Sequence, residues 1–261
     1  MYIQNGKVLR HEGIGGDYRL LSLELPAIAA AAGPGQFLHL RVALLHDAVL
    51  RRPFSICGAR DGAVDMLYKT VGRGTAAMEA LQPGQTVSVM GPLGNGFPLP
   101  LRHGARPVLV AGGYGVAPLS FLAGRLGRPG DVFVGGAKAA DILCADIFEK
   151  LGWTVHVATE DGSLGTPGLV TAPLDSWLEG LTGPELPEFF ACGPNGMLKV
   201  VGDRASARGA NAWLSLDRHM GCGVGACLAC VQRIRRDGQE VLARVCKEGP
   251  VFEAREVVWT E

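Results

Sequence analysis

Over the first hundred residues, short apolar runs alternate with turn residues. Residues 18–25, 36–42, 64–71 and 86–90 each read as a strand, with Pro34-Gly35, Asp61-Gly62 and Pro83-Gly84 as turns between them. Strands this short and this evenly spaced predict an antiparallel barrel. One short helix is expected over 75–81. From about residue 104 the pattern changes. Val108-Leu109-Val110-Ala111 is a continuous apolar run, a glycine-rich turn follows, and a helix is expected over 116–125. Further strands are expected at 131–135, 154–159 and 189–192, with helices at 140–150 and 194–207. Strands and helices in alternation predict a parallel α/β sheet. From about 215 the chain becomes cysteine-rich, with strands expected at 240–246 and 256–259. The reading is a multidomain β plus α/β chain of three regions, 1–103, 104–214 and 215–261, with no internal repeat and no low-complexity tract.

Composition narrows this. The chain has 261 residues, 48% of them hydrophobic, which is ample for buried cores. Its 38 glycines are about twice the usual share, which suits backbone-lined cofactor sites. Formal net charge is zero, which argues against nucleic acid or an anionic membrane as the main partner. The N-terminus, Met1-Tyr2-Ile3-Gln4-Asn5-Gly6-Lys7, lacks the basic-then-apolar pattern of a signal peptide. The apolar, uncharged run 107–124 is short for a membrane span and is broken by glycines and Pro118. A soluble, cytoplasmic protein is expected.

Four of the seven cysteines carry the clearest chemistry. Cys222, Cys227, Cys230 and Cys246 are spaced C-x4-C-x2-C-x15-C, and the first three lie in a glycine-rich loop. That loop spacing is the plant-type arrangement for a [2Fe–2S] cluster. A structural zinc site also takes four cysteines, but more often as two C-x2-C pairs, and this loop has only one. Clustered cysteines read as metal chemistry in a reducing compartment rather than a disulfide framework. Cys57 and Cys144 are expected to be buried free thiols.

A one-electron centre in a longer chain calls for a second redox group, and other motifs offer one. In Arg52-Pro53-Phe54-Ser55 the arginine can grip a pyrophosphate, the aromatic can cover a flavin and the hydroxyl can reach its ring nitrogen. The same residues also fit a surface arginine, a proline bend and a core phenylalanine. Tyr68-Lys69 and Gly72-Arg73-Gly74-Thr75 look like a second phosphate contact, or an ordinary helix start capped by Thr75. Gly112-Gly113-Tyr114-Gly115 joins a strand to a helix where a dinucleotide phosphate would approach the backbone, although G-x-G-x-x-G is absent. Cys192-Gly193-Pro194 follows a later strand, and its thiol either lines a nicotinamide pocket or is simply buried.

In this order the motifs resemble the ferredoxin–NADP reductase superfamily. The cysteine loop with Val245-Cys246-Lys247-Glu248-Gly249-Pro250-Val251-Phe252 narrows the resemblance to the electron-transfer subunits of dihydroorotate dehydrogenase B, along essentially the whole chain. The resemblance implies a flavin-binding barrel, a nicotinamide-binding α/β domain and a small [2Fe–2S] domain. It implies FAD, one cluster held by Cys222, Cys227, Cys230 and Cys246, and NAD⁺ as acceptor. It also implies an FMN-containing catalytic partner subunit in a two-plus-two heterotetramer, serving pyrimidine biosynthesis. The flavin positions it carries over are Arg52, Pro53, Phe54, Ser55, Leu67, Tyr68, Lys69, Gly74 and Thr75. The nicotinamide positions are Gly112, Gly113, Gly115, Cys192, Gly193 and Pro194. No side chain is expected to act as acid or base, because the cofactors carry the chemistry. Tyr114 departs from the small or branched residue expected there. Lys138 and Glu160-Asp161 point to opposite nucleotide preferences, so NAD rests on the resemblance alone. Leu228, Met220 and Phe252 are candidate partner contacts, with Arg218 beside them. Two rivals remain: the small subunit of an NADPH–ferredoxin or sulfide oxidoreductase, and a zinc-stabilised, non-enzymatic flavin-binding module.

Overall fold

The computed structural model describes residues 1–42, 49–182 and 186–259. The first six strands are β1 (Tyr2–Gly15), β2 (Tyr18–Glu24), β3 (Phe37–Leu40), β4 (Arg52–Arg60), β5 (Ala63–Lys69) and β6 (Thr86–Leu93). They close into an antiparallel barrel in the order β1-β2-β5-β4-β3-β6. Helix α1 (Pro26–Ala31) lies between β2 and β3, and α2 (Arg73–Met78) between β5 and β6. The period of two decides which side chains enter the barrel. On β4, Phe54 and Ile56 point into its core, while Pro53, Ser55 and Cys57 alternate with them on the outside. On β5, Val64, Met66 and Tyr68 point inward, whereas Leu67 joins a different core beneath the α/β region.

The second sheet contains β7 (Arg106–Gly112), β8 (Asp131–Gly136), β9 (Thr154–Thr159), the two-residue β10 (Thr166–Pro167), β11 (Pro187–Cys192) and β12 (Asn211–Ser215). These run parallel in the order β10-β9-β8-β7-β11-β12. Helices α3 (Val116–Ala123), α4 (Ala145–Lys150), α5 (Thr171–Glu179) and α6 (Asn195–Ala207) cover its faces. Central strands are apolar throughout because both faces are covered. On β7, Val108 and Val110 serve one core and Leu109 and Ala111 the other. Every residue of α3 is buried, because the helix lies between this sheet and β4.

The cysteine region adds a hairpin, β13 (Val231–Arg236) and β14 (Gln239–Arg244), and a last strand, β15 (Val251–Glu253). β15 pairs antiparallel with β12, so the chain returns to the larger sheet. One continuous core links Cys230, Ile234, Val245, Cys246 and Phe252 with that sheet and with Phe37, Met90 and Leu93 of the barrel. Two sequence expectations change here. The strand expected at 256–259 is instead a 3₁₀ turn, Ala254–Glu256, followed by a single bridge from Val257 to Ile234. The helix expected at 140–150 begins only at Ala145, after a separate 3₁₀ turn, Ala139–Asp141. Among the described residues, no helix is long and apolar enough to cross a membrane.

Candidate cofactor sites

The flavin positions gather at a seam in the barrel. The β4–β5 ladder runs from Arg60↔Ala63 to Ile56↔Met66 and ends there. Beyond that point residues 52–55 pair only with β3, and residues 67–69 only with β2. Two strand edges with unpaired backbone groups therefore face each other, and such groups need a partner. Arg52, Pro53, Phe54 and Ser55 form one lip of the seam; Leu67, Tyr68 and Lys69 form the other. Helix α2 closes one end. A Cβ on Gly74 would lie 3.1 Å from Arg52 Nε, so the glycine admits the guanidinium.

Within this seam the roles differ from those the motif suggested. Phe54 and Tyr68 turn into the barrel core, with ring centroids 5.7 Å apart, so neither ring covers a flavin from outside. His11 Nδ1 lies 2.9 Å from the Leu81 carbonyl and must donate to it, so the Tyr68 hydroxyl donates to Nε2 at 2.9 Å. Burial pushes the Tyr68 phenol up to about 12. Lys69 lies 3.4 Å from Asp141 of the α/β region, and the Tyr18 hydroxyl donates to the same carboxylate at 2.9 Å. This cluster joins barrel to sheet. Thr75 is not the helix cap; its hydroxyl accepts from the Val71 and Gly72 amides at 2.9 and 3.2 Å.

The nicotinamide positions meet at the C-terminal ends of β7 and β11, the edge where open α/β sheets bind ligands. A Cβ on Gly115 would lie 2.2 Å from the Cys192 carbonyl oxygen, so the two turns touch backbone to backbone. Gly112 instead packs against the Pro194 ring, with a Cβ there 2.6 Å from its Cδ. Burial pushes the Cys192 thiol up to about 12, despite a hydrogen bond with Ser215. At neutral pH it is a protonated thiol rather than a nucleophile. Tyr114 is half-exposed at this edge. Lys138 and Glu160 follow the adjacent strands β8 and β9, so both signs of charge stand at one edge. Cys57 and Cys144 are half-buried where β4 meets the α/β region, in contact with each other, and Cys57 Sγ is 3.2 Å from Ser120 Oγ.

The cysteine loop aims its amides at sulfur. Val224, Ala226 and Cys227 N–H groups lie 3.5, 3.2 and 3.4 Å from Cys222 Sγ. The Gly225 amide is 3.1 Å from Cys246 Sγ, and the Cys246 amide 3.4 Å from Cys230 Sγ. Burial opposes ionisation of Cys222, but these amides outweigh it and hold the thiol down to about 6. Burial and the neighbouring Cys230 push Cys246 up to about 12. The four thiols stand as two pairs in contact, Cys222 with Cys227 and Cys230 with Cys246. A [2Fe–2S] cluster takes two thiolates on each iron, whereas a single zinc gathers all four sulfurs at about 2.3 Å. The pairing and the sulfur-directed amides fit the cluster.

The loop is braced from two sides. Arg244 Nη1 donates to the Gly225 carbonyl at 3.1 Å while Nε donates to Glu248 at 3.1 Å. Asn95, at the end of the barrel, donates from Nδ2 to the Lys247 and Glu248 carbonyls at 3.2 and 3.0 Å. Of the candidate partner contacts, Leu228 is 60% exposed on the loop. Phe252 is 2% exposed and belongs to the core, and Met220 packs half-buried against that core. Arg218 is engaged internally, with Gln232 at 3.1 Å and Asn195 at 3.1 Å.

Comparison with known proteins fits this geometry. Residues 5–97 match an oxidoreductase FAD-binding domain. Residues 217–258 match the iron-sulfur cluster binding domain of dihydroorotate dehydrogenase B. The dihydroorotate dehydrogenase B (NAD(+)) electron transfer subunit of Bacillus caldolyticus is 43% identical over 231 residues, 86% of each chain. This chain belongs to that family. The family member from Shouchella clausii is 38% identical over 96% of each chain. Among solved structures, an NADH-dependent reduced ferredoxin-NADP oxidoreductase aligns over 98% of this chain and 90% of its own, with 28% identity and a TM-score of 0.85. The ferredoxin reductase of carbazole 1,9a-dioxygenase shares the fold at a TM-score of 0.66 over 80% of this chain and 66% of its own.

Within the electron-transfer subunit family, the cysteine spacing and the barrel motif were legible from sequence. Asp141 and Asn95, which tie the regions together, were not, nor was the buried His39. The readable signal for His39 was a lone imidazole in the apolar run Phe37-Leu38-His39-Leu40.

Proposed function

We infer that this chain is the electron-transfer subunit of a dihydroorotate dehydrogenase B, passing electrons from the FMN of a catalytic partner subunit to NAD⁺ in pyrimidine biosynthesis. The observation that carries this reading is the placement of two thiol pairs, under sulfur-directed amides, directly against the barrel that holds the open seam. FAD and a [2Fe–2S] cluster supply the exchange between one-electron and hydride transfer. The chain's own residues hold and orient them. Cys222 and Cys227 would hold one iron, and Cys230 and Cys246 the other. Arg52, packed on Gly74, would grip a flavin pyrophosphate, Ser55 would offer a hydroxyl to the flavin ring, and the backbone at 52–55 and 67–69 would meet its polar edges. The touching turns at Gly112, Gly113, Gly115 and at Cys192, Gly193, Pro194 form the floor on which a nicotinamide lies. No acid or base is assigned, and the neutral Cys192 thiol is in keeping with that.

The regions act as a flavin domain (1–103), a nicotinamide domain (104–214) and a cluster domain (215–261). Leu228 is the apolar point offered to the catalytic partner, in a two-plus-two assembly in the cytoplasm. Arg218 is no clean probe of that interface, because its guanidinium bonds within the chain.

The likeness to the ferredoxin-NADP oxidoreductase structure favours a second reading, with the same cofactors and a different partner. Anaerobic visible spectra before and after NADH, with iron and zinc assays, test the cofactors; flavin and iron–sulfur bands bleached together are expected. Zinc without iron after reconstitution would leave only a zinc-stabilised module. Dihydroorotate-driven NAD⁺ reduction with the co-expressed FMN subunit then separates the two partners, and its absence alongside ferredoxin-dependent turnover would favour the second.

A further inference from the structure

His39 lies on β3 with its side chain wholly buried at 0% exposure. Neither ring nitrogen makes a hydrogen bond of ordinary geometry, an uncommon state for a buried polar group. In register it stands opposite Pro53 of the flavin lip on one side and Met90 of β6 on the other. Its outer edge meets the cysteine loop. A Cβ on Gly223 would lie 2.6 Å from Nδ1, and Gly223 has φ +72°, so the loop takes a left-handed turn at the point where it meets the ring. The ring also faces the main chain of Cys222, the thiol that receives three loop amides. An imidazole always carries at least one N–H to give.

We propose that His39 is a positioning residue of the electron path: its ring N–H holds the main chain at Cys222 against the strand that pairs with the flavin lip. Three observations converge on this: an unpartnered imidazole, a glycine whose missing side chain admits it, and a strand register that places it beside the flavin motif. The proposal rests on the electron-transfer reading above. By fixing the loop it keeps the amides on Cys222 sulfur, and hydrogen bonds to sulfur help set a cluster's potential. It also fixes the separation across which electrons pass.

The test uses the full chain with its cofactors and the variants His39→Leu and His39→Asn, the second keeping a donor near the Nδ1 position. Cluster EPR after NADH, cluster reduction potential, FAD content and the rate of cluster reduction by NADH are read together. His39→Leu is expected to keep its FAD but to shift the EPR signal, lower the potential and slow cluster reduction about tenfold, the low end for a residue supporting a metal site. His39→Asn is expected to recover most of each. Should His39→Leu fail to fold, Gly223→Ala presses on the ring from the loop side and is expected to reproduce the shifted signal with His39 present. An unmoved signal, potential and rate in the folded variants would overturn the proposal. So would equal loss of FAD in both His39 variants, because the ring would then only fill the core. A parent chain with no paramagnetic cluster after reconstitution would instead overturn the electron-transfer reading, and this proposal with it.

Discussion

Two glycine-rich turns look alike in sequence and work in opposite ways. At the cysteine loop, amides point at cysteine sulfur instead of at main-chain carbonyls, so the backbone is shaped around the thiols. At the nicotinamide edge, the space beside Gly115 is already filled by the Cys192 carbonyl of the neighbouring strand. Glycine there answers a packing demand within the protein, and any ligand lies on top of that packing. A glycine run therefore does not by itself mark where a cofactor enters. What separates the cases is where the amides point, and whether a side chain, as His39 at Gly223, or main chain, as the Cys192 carbonyl at Gly115, stands where a Cβ would be.

The largest expected effect breaks the first turn and spares the second. Cys230→Ser should abolish the iron-dependent EPR signal and electron transfer from the partner, while NADH still reduces FAD. Unchanged dihydroorotate-to-NAD⁺ turnover in a cluster-depleted Cys230→Ser chain would refute the relay. The reverse experiment is Gly115→Ala. Its methyl group meets backbone on the facing strand rather than a side chain that can swing away. Overpacking of this kind costs about 1–3 kcal/mol, or roughly 3–10 °C in Tm for a chain of this size. NADH oxidation should fall while the cluster's EPR signal stays as in the parent. A Gly115→Ala chain with parental Tm and turnover would mean the two turns are not in contact.

A smaller effect probes how the sulfur-directed turn keeps its form. Arg244 ties the Gly225 carbonyl to Glu248, across the base of the loop. Arg244→Met keeps much of the side-chain volume and removes both ties. Iron release to a chelator should then be about tenfold faster, with FAD content unchanged. Equal release rates would show that the cysteines alone hold the loop.

How much of this was legible in the sequence depended on the range of the interactions involved. The cysteine loop was readable because three cysteines fall within nine residues and their spacing is nearly the whole of its geometry. Strands β7, β8 and β11 were readable because burial on both faces leaves a continuous apolar run. The barrel motif was readable as a set of residues, but not in its directions. Phe54 and Ile56 alternate with Pro53, Ser55 and Cys57, and that period of two already points the aromatic ring inward. Helix α1 has six residues, too few to show a helical period. β15 has three and takes its place only because β12 leaves an edge to pair with. The contacts of His39 with Gly223, Asn95 with Lys247 and Tyr18 with Asp141 join distant parts of the chain, and no local pattern announces them.

Those long-range contacts divide the joints of the molecule as sharply as the glycines divide its turns. The barrel meets the cysteine region through the neutral amide of Asn95, but meets the α/β region through Asp141, Lys69 and Tyr18. Burial opposes ionisation of Asp141, yet the hydrogen bonds from Tyr18 and Lys69 and the Lys69 charge outweigh it and hold the carboxyl below its ordinary range. A carboxyl whose folded pKa is depressed favours the folded state fully above its unfolded value, about 3.9, and loses that contribution as pH falls through the lower folded value. Only the α/β joint should feel this titration. Asp141→Asn should therefore lower Tm by a constant amount above about pH 5, and the gap to the parent should narrow as pH falls below about 4. Asn95→Ala should lower Tm by an amount that does not change over the same range. Parallel Tm profiles for the parent and Asp141→Asn down to the acid limit would show that the carboxylate joins nothing, and the two joints would then be alike.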